Sequence, residues 1–230
     1  YNYRSDKFSA NVNLYSTTWK DRVDGATDVD PNTGVVTITR TFGQAQYHMG
    51  VEFDFIYDIT NDLRLKGFTS IGDWTYAGEL TQDVLDEDRN VIQAPTVIDV
   101  DGGKVGDAAQ FTAGLGVDYR IMEGLSFDAD FRFYDQLYAR VSARKNNLQL
   151  PEYGILDSGV SYRLNLTSDK SKSLDFRVNV NNVLDRRYIS ELSSANFANA
   201  GSTTYRGIDV SNRGFFGLGR TWNASVRYNF

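Results

Sequence analysis

The sequence predicts an all-β fold, an antiparallel transmembrane β-barrel with about eight strands in this chain, and three observations predict it. Apolar and polar residues alternate along several extended stretches. The connections between those stretches are short and long by turns. The side opposite each apolar series carries too many charges to form a dry core.

The clearest alternation lies at residues 45–57, where Ala45, Tyr47, Met49, Val51, Phe53, Phe55 and Tyr57 are hydrophobic. Between them stand Gln46, His48, Gly50, Glu52 and Asp54, with one exception, Ile56. In a chain that is 41% hydrophobic, a run of this length arises by chance about 0.2% of the time. A period of two is the mark of a strand whose side chains point alternately to two faces. The same pattern places strands at about 6–19, 44–57, 63–76, 108–121, 125–141, 154–166, 173–184 and 215–230.

In chain order, the first strand presents Phe8, Ala10, Val12 and Leu14, and the second is the one above. The third is weaker, with Leu63, Leu65, Thr69 and Ile71 interrupted by Gly67. Phe111, Ala113, Leu115, Val117 and Tyr119 mark the fourth, and Leu125, Phe127, Ala129, Phe131 and Phe133 the fifth. The sixth shows Val160, Tyr162, Leu164 and Leu166, and the seventh Leu174, Phe176, Val178 and Val180. The last shows Trp222, Ala224, Val226, Tyr228 and Phe230.

DITND, IMEG and TSDKSK are short turns, whereas long connections of about 25, 30, 11 and 29 residues follow Trp19, Tyr76, Val141 and Leu184. Short turns at one end and long loops at the other are the arrangement of an outer-membrane barrel. Depth agrees. In the fifth strand the apolar series runs from Leu125 to Phe133 and then meets Asp135; counted back from Phe230, the last reaches Trp222 and then Arg220. Nine residues at about 3.3 Å each, tilted about 45°, span roughly 21 Å, close to the height of a barrel's apolar band. The opposite face holds Asp128, Asp130, Arg132, Tyr134, Asp175, Arg177, Asn179 and Asn181, which suits a wet or plugged lumen.

Composition narrows the classes. Mean hydropathy is -0.42, and no apolar run reaches the eighteen or so residues of a membrane-spanning helix. Barrel strands are half polar, so that value is compatible with them. Aromatics make up 13% of the chain, and girdles at two membrane interfaces would use them. The absence of cysteine removes disulfides, thiolate metal sites and a thiol nucleophile. A net charge of -6 argues against nucleic acid. The chain begins at Tyr1 without a signal segment, so it is expected to be a mature protein or a fragment.

GRTWNASVRYNF at the end, NVNNVLDRRYISE at 179–191, VGDAAQFTAGLGVDYR at 105–120 and GLSFDADFRFYDQLYAR at 124–140 together resemble the C-terminal β-barrel region of TonB-dependent outer-membrane receptors, particularly the Bacteroidetes type. Asn182, Asp185 and Tyr188 match that family's Asn-Leu-Phe-Asp-x-x-Tyr pattern, with Val183 and Leu184 in place of its Leu and Phe. The closing aromatic matches the signal that barrel-assembly machinery reads in a final strand, which here would be Trp222, Val226, Tyr228 and Phe230. The resemblance implies a 22-stranded barrel with a plug inside it and uptake of a siderophore, glycan or other nutrient. It also implies outer-membrane lipid around the wall, the TonB complex reached through a missing N-terminal region, and a possible surface lipoprotein partner. The alternative is a self-contained eight-stranded barrel with a structural or adhesive role, its ring closed between residues 6–19 and 215–230.

Candidate ligand contacts are Trp74 and Tyr76 on the third strand with Arg132, Tyr134, Tyr138 and Arg140 on the fifth, a mixture of aromatic platforms and fixed donors at the lumen mouth. The plainer reading is girdle aromatics and ordinary lumen ion pairs. No catalytic residues, cofactor or metal are assigned. His48 stands alone, too few for a zinc site or for Ser-His-Asp chemistry. Asp28, Asp30 and Asn32 have calcium-loop spacing, but the glycine comes late at Gly34 and Thr39 replaces the bidentate Glu, so a tight turn is the simpler reading.

Overall fold

The computed structural model describes residues 1–140 and 142–230. Among them the chain forms fifteen strands and no helix. They are β1 (Asn2–Arg4), β2 (Phe8–Val29), β3 (Val36–Asp58), β4 (Leu63–Ala77), β5 (Glu79–Leu85), β6 (Val91–Asp99), β7 (Phe111–Met122) and β8 (Leu125–Asp135). There follow β9 (Tyr153–Asn165), β10 (Ser173–Asn181), β11 (Ile189–Leu192), β12 (Thr204–Tyr205), β13 (Ile208–Asp209), β14 (Gly214–Phe216) and β15 (Thr221–Asn229). One antiparallel sheet runs in the order β1-β2-β3-β4-β7-β8-β9-β10-β15, with β5 and β6 added on the upper part of β3.

Several elements depart from the sequence expectation. The connection after Trp19 is mostly strand: β2 continues to Val29 and β3 starts at Val36, with only a turn at the tip. Both faces of this ribbon can meet water, so it needs no alternation, and its Val, Ile and Thr residues favour extended backbone. Two register shifts between Trp19 and Asp24 mark where it leaves the alternating wall. The connection after Tyr76 likewise contains the β5–β6 hairpin. The fifth predicted strand ends at Asp135, because Gln136 takes φ 53° and donates its amide to Asp135 Oδ1 at 2.6 Å. Its expected end, Val141, lies outside the described residues. The last strand begins at Thr221 rather than 215, since Gly214–Phe216 pairs with β11 in a separate small sheet.

The ring joining residues 6–19 to 215–230 is not formed. Strand β2 gives its other edge to β1, and β15 pairs with β10 alone among the described residues. The sheet is an open arc of wall.

Its two faces differ as the alternation requires. Leu14 (78% exposed), Val178 (47%) and Val226 (64%) stand on the outer face with nothing of the chain over them. On the inner face Arg64 meets Asp58 at 2.6 Å, Lys66 reaches Asp130 at 3.1 Å and Asp118 at 3.4 Å, Arg177 meets Asp128 at 2.5 Å and Arg163 meets Asp175 at 2.6 Å. The buried apolar clusters lie at the long-loop end, and of their members only Tyr76 on β4 and Leu80 on β5 belong to strands of the main sheet. One gathers Leu137, Ala139, Leu148, Leu150, Ile189, Leu192 and Ile208; the other Tyr76, Leu80, Val100 and Val105.

Candidate ligand site on the inner wall

Two aromatic assemblies occupy the inner face toward the long loops. In the first, His48 on β3 is sandwiched between Trp19 of β2 and Trp74 of β4, with ring centroids 5.7 and 5.3 Å apart and planes within 18° of parallel. Strand register explains the sandwich, because His48 is directly opposite Trp74 while Trp19 is one step diagonal. Arg22 caps the stack, its guanidinium 5.0 Å from the Trp19 ring centroid. The indole N–H of Trp74 is donated to the Tyr15 hydroxyl at 2.9 Å. Gln110, 1% exposed, accepts the Trp74 amide and donates to the carbonyls of Trp74 and Val105. Trp74 is thereby held on one ring face, at its N–H and along its backbone. Tyr76 is enclosed at 1% exposure in the loop-end cluster. Tyr76 is thus withdrawn from the lumen, whereas Trp74 is half-buried with one ring face taken up by His48.

The second assembly is a column of three tyrosines. Tyr134 of β8 stacks on its cross-strand partner Tyr153 at 5.0 Å, and Tyr153 stacks on Tyr188 at 4.1 Å. Tyr188 lies against Gly217 at its far end, where a Cβ would come within 1.8 Å of the ring. Beside the column Arg132 pairs with Asp157, whose other oxygen accepts the Asn182 amide at 2.8 Å. The Arg132 side chain remains 41% exposed. Tyr138 and Arg140 are not on β8 but in the loop beyond it. Arg140 Nη1 donates to the Ser193 carbonyl at 2.9 Å, and burial pushes the Tyr138 hydroxyl's pKa above its ordinary value.

A groove of about 490 Å³ runs along the wall, lined by Ile56, Lys66, Phe68, Gly114, Gly116 and Arg132 among others. The Phe68 ring lies against Gly114, where a Cβ would sit 2.3 Å from it. Ile56 and Phe68 are apolar residues next to the ion-paired part of the inner face. Ile56 already broke the alternation in the sequence.

The motif residues flank the tyrosine column, Tyr188 within it and Asn182 beside it. Asn182 (φ 50°) and Asp185 (φ 50°) turn the chain at the outer end of β10. Trp222, Val226 and Tyr228 lie on the outer face of β15, and Phe230 follows that strand at the short-turn end. Among the described residues no group of three or more His, Asp or Glu is placed to hold a metal. Sequence reasoning missed Tyr15, Trp19, Gln110, Tyr153 and Asp157. Tyr153 lies one residue before the sixth predicted strand, and extending that strand by one residue sets it against Tyr134. Gln110 carried no signal.

The family model described as TonB dependent receptor-like, beta-barrel, matches residues 1–183. The ferrioxamine B receptors of Salmonella typhimurium strains SL1344 and LT2 are each 26% identical over 165 residues, which is 71% of this chain and 20% of theirs. The chain thus spans about one fifth of the length of the curated relatives it matches. Among solved structures, the outer membrane transporter YddB from Escherichia coli superposes with a TM-score of 0.58 at 12% identity, over 98% of this chain and 31% of that one. That likeness concerns the fold.

Proposed function

The chain belongs to the TonB-dependent receptor-like β-barrel family of the Gram-negative outer membrane, and from that premise we propose that it is part of the wall of an active uptake receptor, without catalytic activity. The observation that carries the reading is the pairing of an apolar outer face with an inner face that is ionic below and aromatic toward the long loops. The free edges of β1 and β15 would be met by further strands of a larger barrel, and outer-membrane lipid would cover the belt that includes Leu14, Val178 and Val226. Energy would come from the TonB complex through a region upstream of these strands. Barrel-assembly machinery would read Trp222, Val226, Tyr228 and Phe230, and a surface lipoprotein could sit over the long loops.

The cargo is a nutrient carrying rings and hydrogen-bonding oxygens, a siderophore or a glycan, met by the tyrosine column of Tyr134, Tyr153 and Tyr188 and by the guanidinium of Arg132. The ferrioxamine B receptors are relatives whose cargo falls in the first class. Tyr138 and Arg140 would shape the loop above that column, while Trp74 and Tyr76 would brace the wall. The test is binding and uptake by the intact receptor carrying Tyr134→Ala. Loss of one stacking face is expected to weaken cargo affinity about tenfold, with barrel assembly unchanged. Undiminished affinity and uptake would overturn the assignment of the column.

A further inference from the structure

We propose that the Asn182–Asp185–Tyr188 segment is a register clamp, which reads the glycine pair Gly217 and Gly219 and so fixes how β15 joins β10. The need for one follows from the topology. Residues 182–220 separate the two strands and are tied midway only by the short β11–β14 ladder, whose backbone bonds a two-residue slip can re-form. A slip of one residue would turn Trp222, Val226 and Tyr228 into the lumen and is excluded by patterning. A slip of two keeps every face, because β15 alternates throughout, so patterning does not discriminate against it.

The clamp does. Asn182, 3% exposed, accepts the Arg186 amide at 2.8 Å and donates to the carbonyls of Arg186 and Leu218, both at 3.0 Å. Asp185 Oδ1 accepts the Arg220 amide at 2.9 Å, and the Gly217 amide donates to the Tyr188 carbonyl at 2.9 Å. Those partners on the β15 side are backbone groups, which any register would offer. The side-chain spaces are selective. A Cβ at Gly217 would lie 1.8 Å from the Tyr188 ring, and one at Gly219 would lie 3.1 Å from Asp185 Oδ1. Sliding β15 one way puts Phe215 under Tyr188; sliding it the other way puts Thr221 against Asp185. The space under Tyr188 admits no Cβ, whereas at Gly219 a Cβ needs Asp185 Oδ1 to give by a few tenths of an ångström, so Gly217 carries most of the selection. Asp157 and the Tyr153 ring anchor the clamp to β9, so it is braced from the neighbouring strand.

The test uses the intact receptor in its membrane, and no native thiol of this chain interferes. Asn179 stands opposite Asn223 in the observed register. A receptor carrying Asn179→Cys and Asn223→Cys is expected to cross-link efficiently, and one carrying Asn179→Cys and Ser225→Cys poorly. Adding Gly217→Ala should drive Gly219 under Tyr188, lowering the first cross-link several-fold and raising the second. Unchanged cross-linking of both pairs would overturn the proposal. If Gly217→Ala prevents accumulation, adding Tyr188→Ala should restore folded receptor, now with both cross-links formed. Failure of that rescue would also overturn it.

Discussion

A Cβ at Gly116 would lie 2.3 Å from Asp130 Oδ1 and 2.4 Å from Lys66 Cε. The bare backbone there lets the Lys66 stem cross β7 to reach Asp118 and Asp130. Gly159 does the same under Arg177, whose Nη2 would be 2.3 Å from its Cβ. Gly116→Ala is therefore expected to lower unfolding stability by about 1–3 kcal/mol through overpacking, read as a shifted urea midpoint in lipid, with much of the loss recovered when Lys66→Ala is added. At the short turn, hydrogen bonds from Thr167 and Ser171 hold the Asp169 carboxyl down to about 2, below its ordinary 3.8. Its folded pKa is depressed, so its contribution to the turn is complete above the ordinary value and is lost as pH falls toward 2. The protection factor of the Ser171 amide, its exchange rate divided into the intrinsic rate at the same pH, should fall as pH drops through that window and stay level from pH 5 to 7. At this scale the sequence was half legible. Alternation correctly faces Arg132 and Tyr134 inward, but the sandwich that occupies Trp74 depends on Tyr15, Trp19 and Gln110, residues distant in sequence that no local pattern links to it.

Among the elements, the membrane-crossing parts of the strands were legible because one side of each faces lipid, a constraint written into every second residue. Beyond the membrane the constraint disappears, and with it the signal: Thr27, Val29 and Val36–Thr39 read as loop yet pair in register. Strand ends set by a single left-handed residue, Gln136 or Asn182, were equally invisible. The same physics yields a contrast within β15. Val226 is central in its outward series and pairs with Phe176. Val226→Arg should cost about 2–4 kcal/mol as a charge near the bilayer midplane. Asn223→Arg, on the inner face, should cost well under half of that. Equilibrium unfolding in bilayers of fixed thickness would compare them.

Taken whole, the molecule divides its stabilising chemistry by height. The wall rests on strand pairing and lipid contact, while side-chain burial is concentrated in the loop-end clusters. Leu150, 2% exposed, illustrates the split. Leu150→Ala should loosen its cluster by about 2–5 kcal/mol, speeding proteolysis within residues 190–210, while the amides of β7 to β10 keep their protection from exchange. Loss of protection in both regions together would show that the two layers unfold as one. The loop clusters were the least legible part of the chain, because their members are scattered over residues 76–105 in one and 137–208 in the other, with no period to connect them.

Strand β3 runs unbroken from Val36 to Asp58, holding β5 against its upper edge and β4 against the lower. Apart from the kink at Gly43, where φ is +79°, the strand is continuous from the surface-exposed tip to the turn at the far rim. An antibody or phage fibre that seizes the hairpin near Asn32 would thus be gripping the barrel's own framework rather than a trailing tether, and a fluorophore placed there would report how the entire structure tilts.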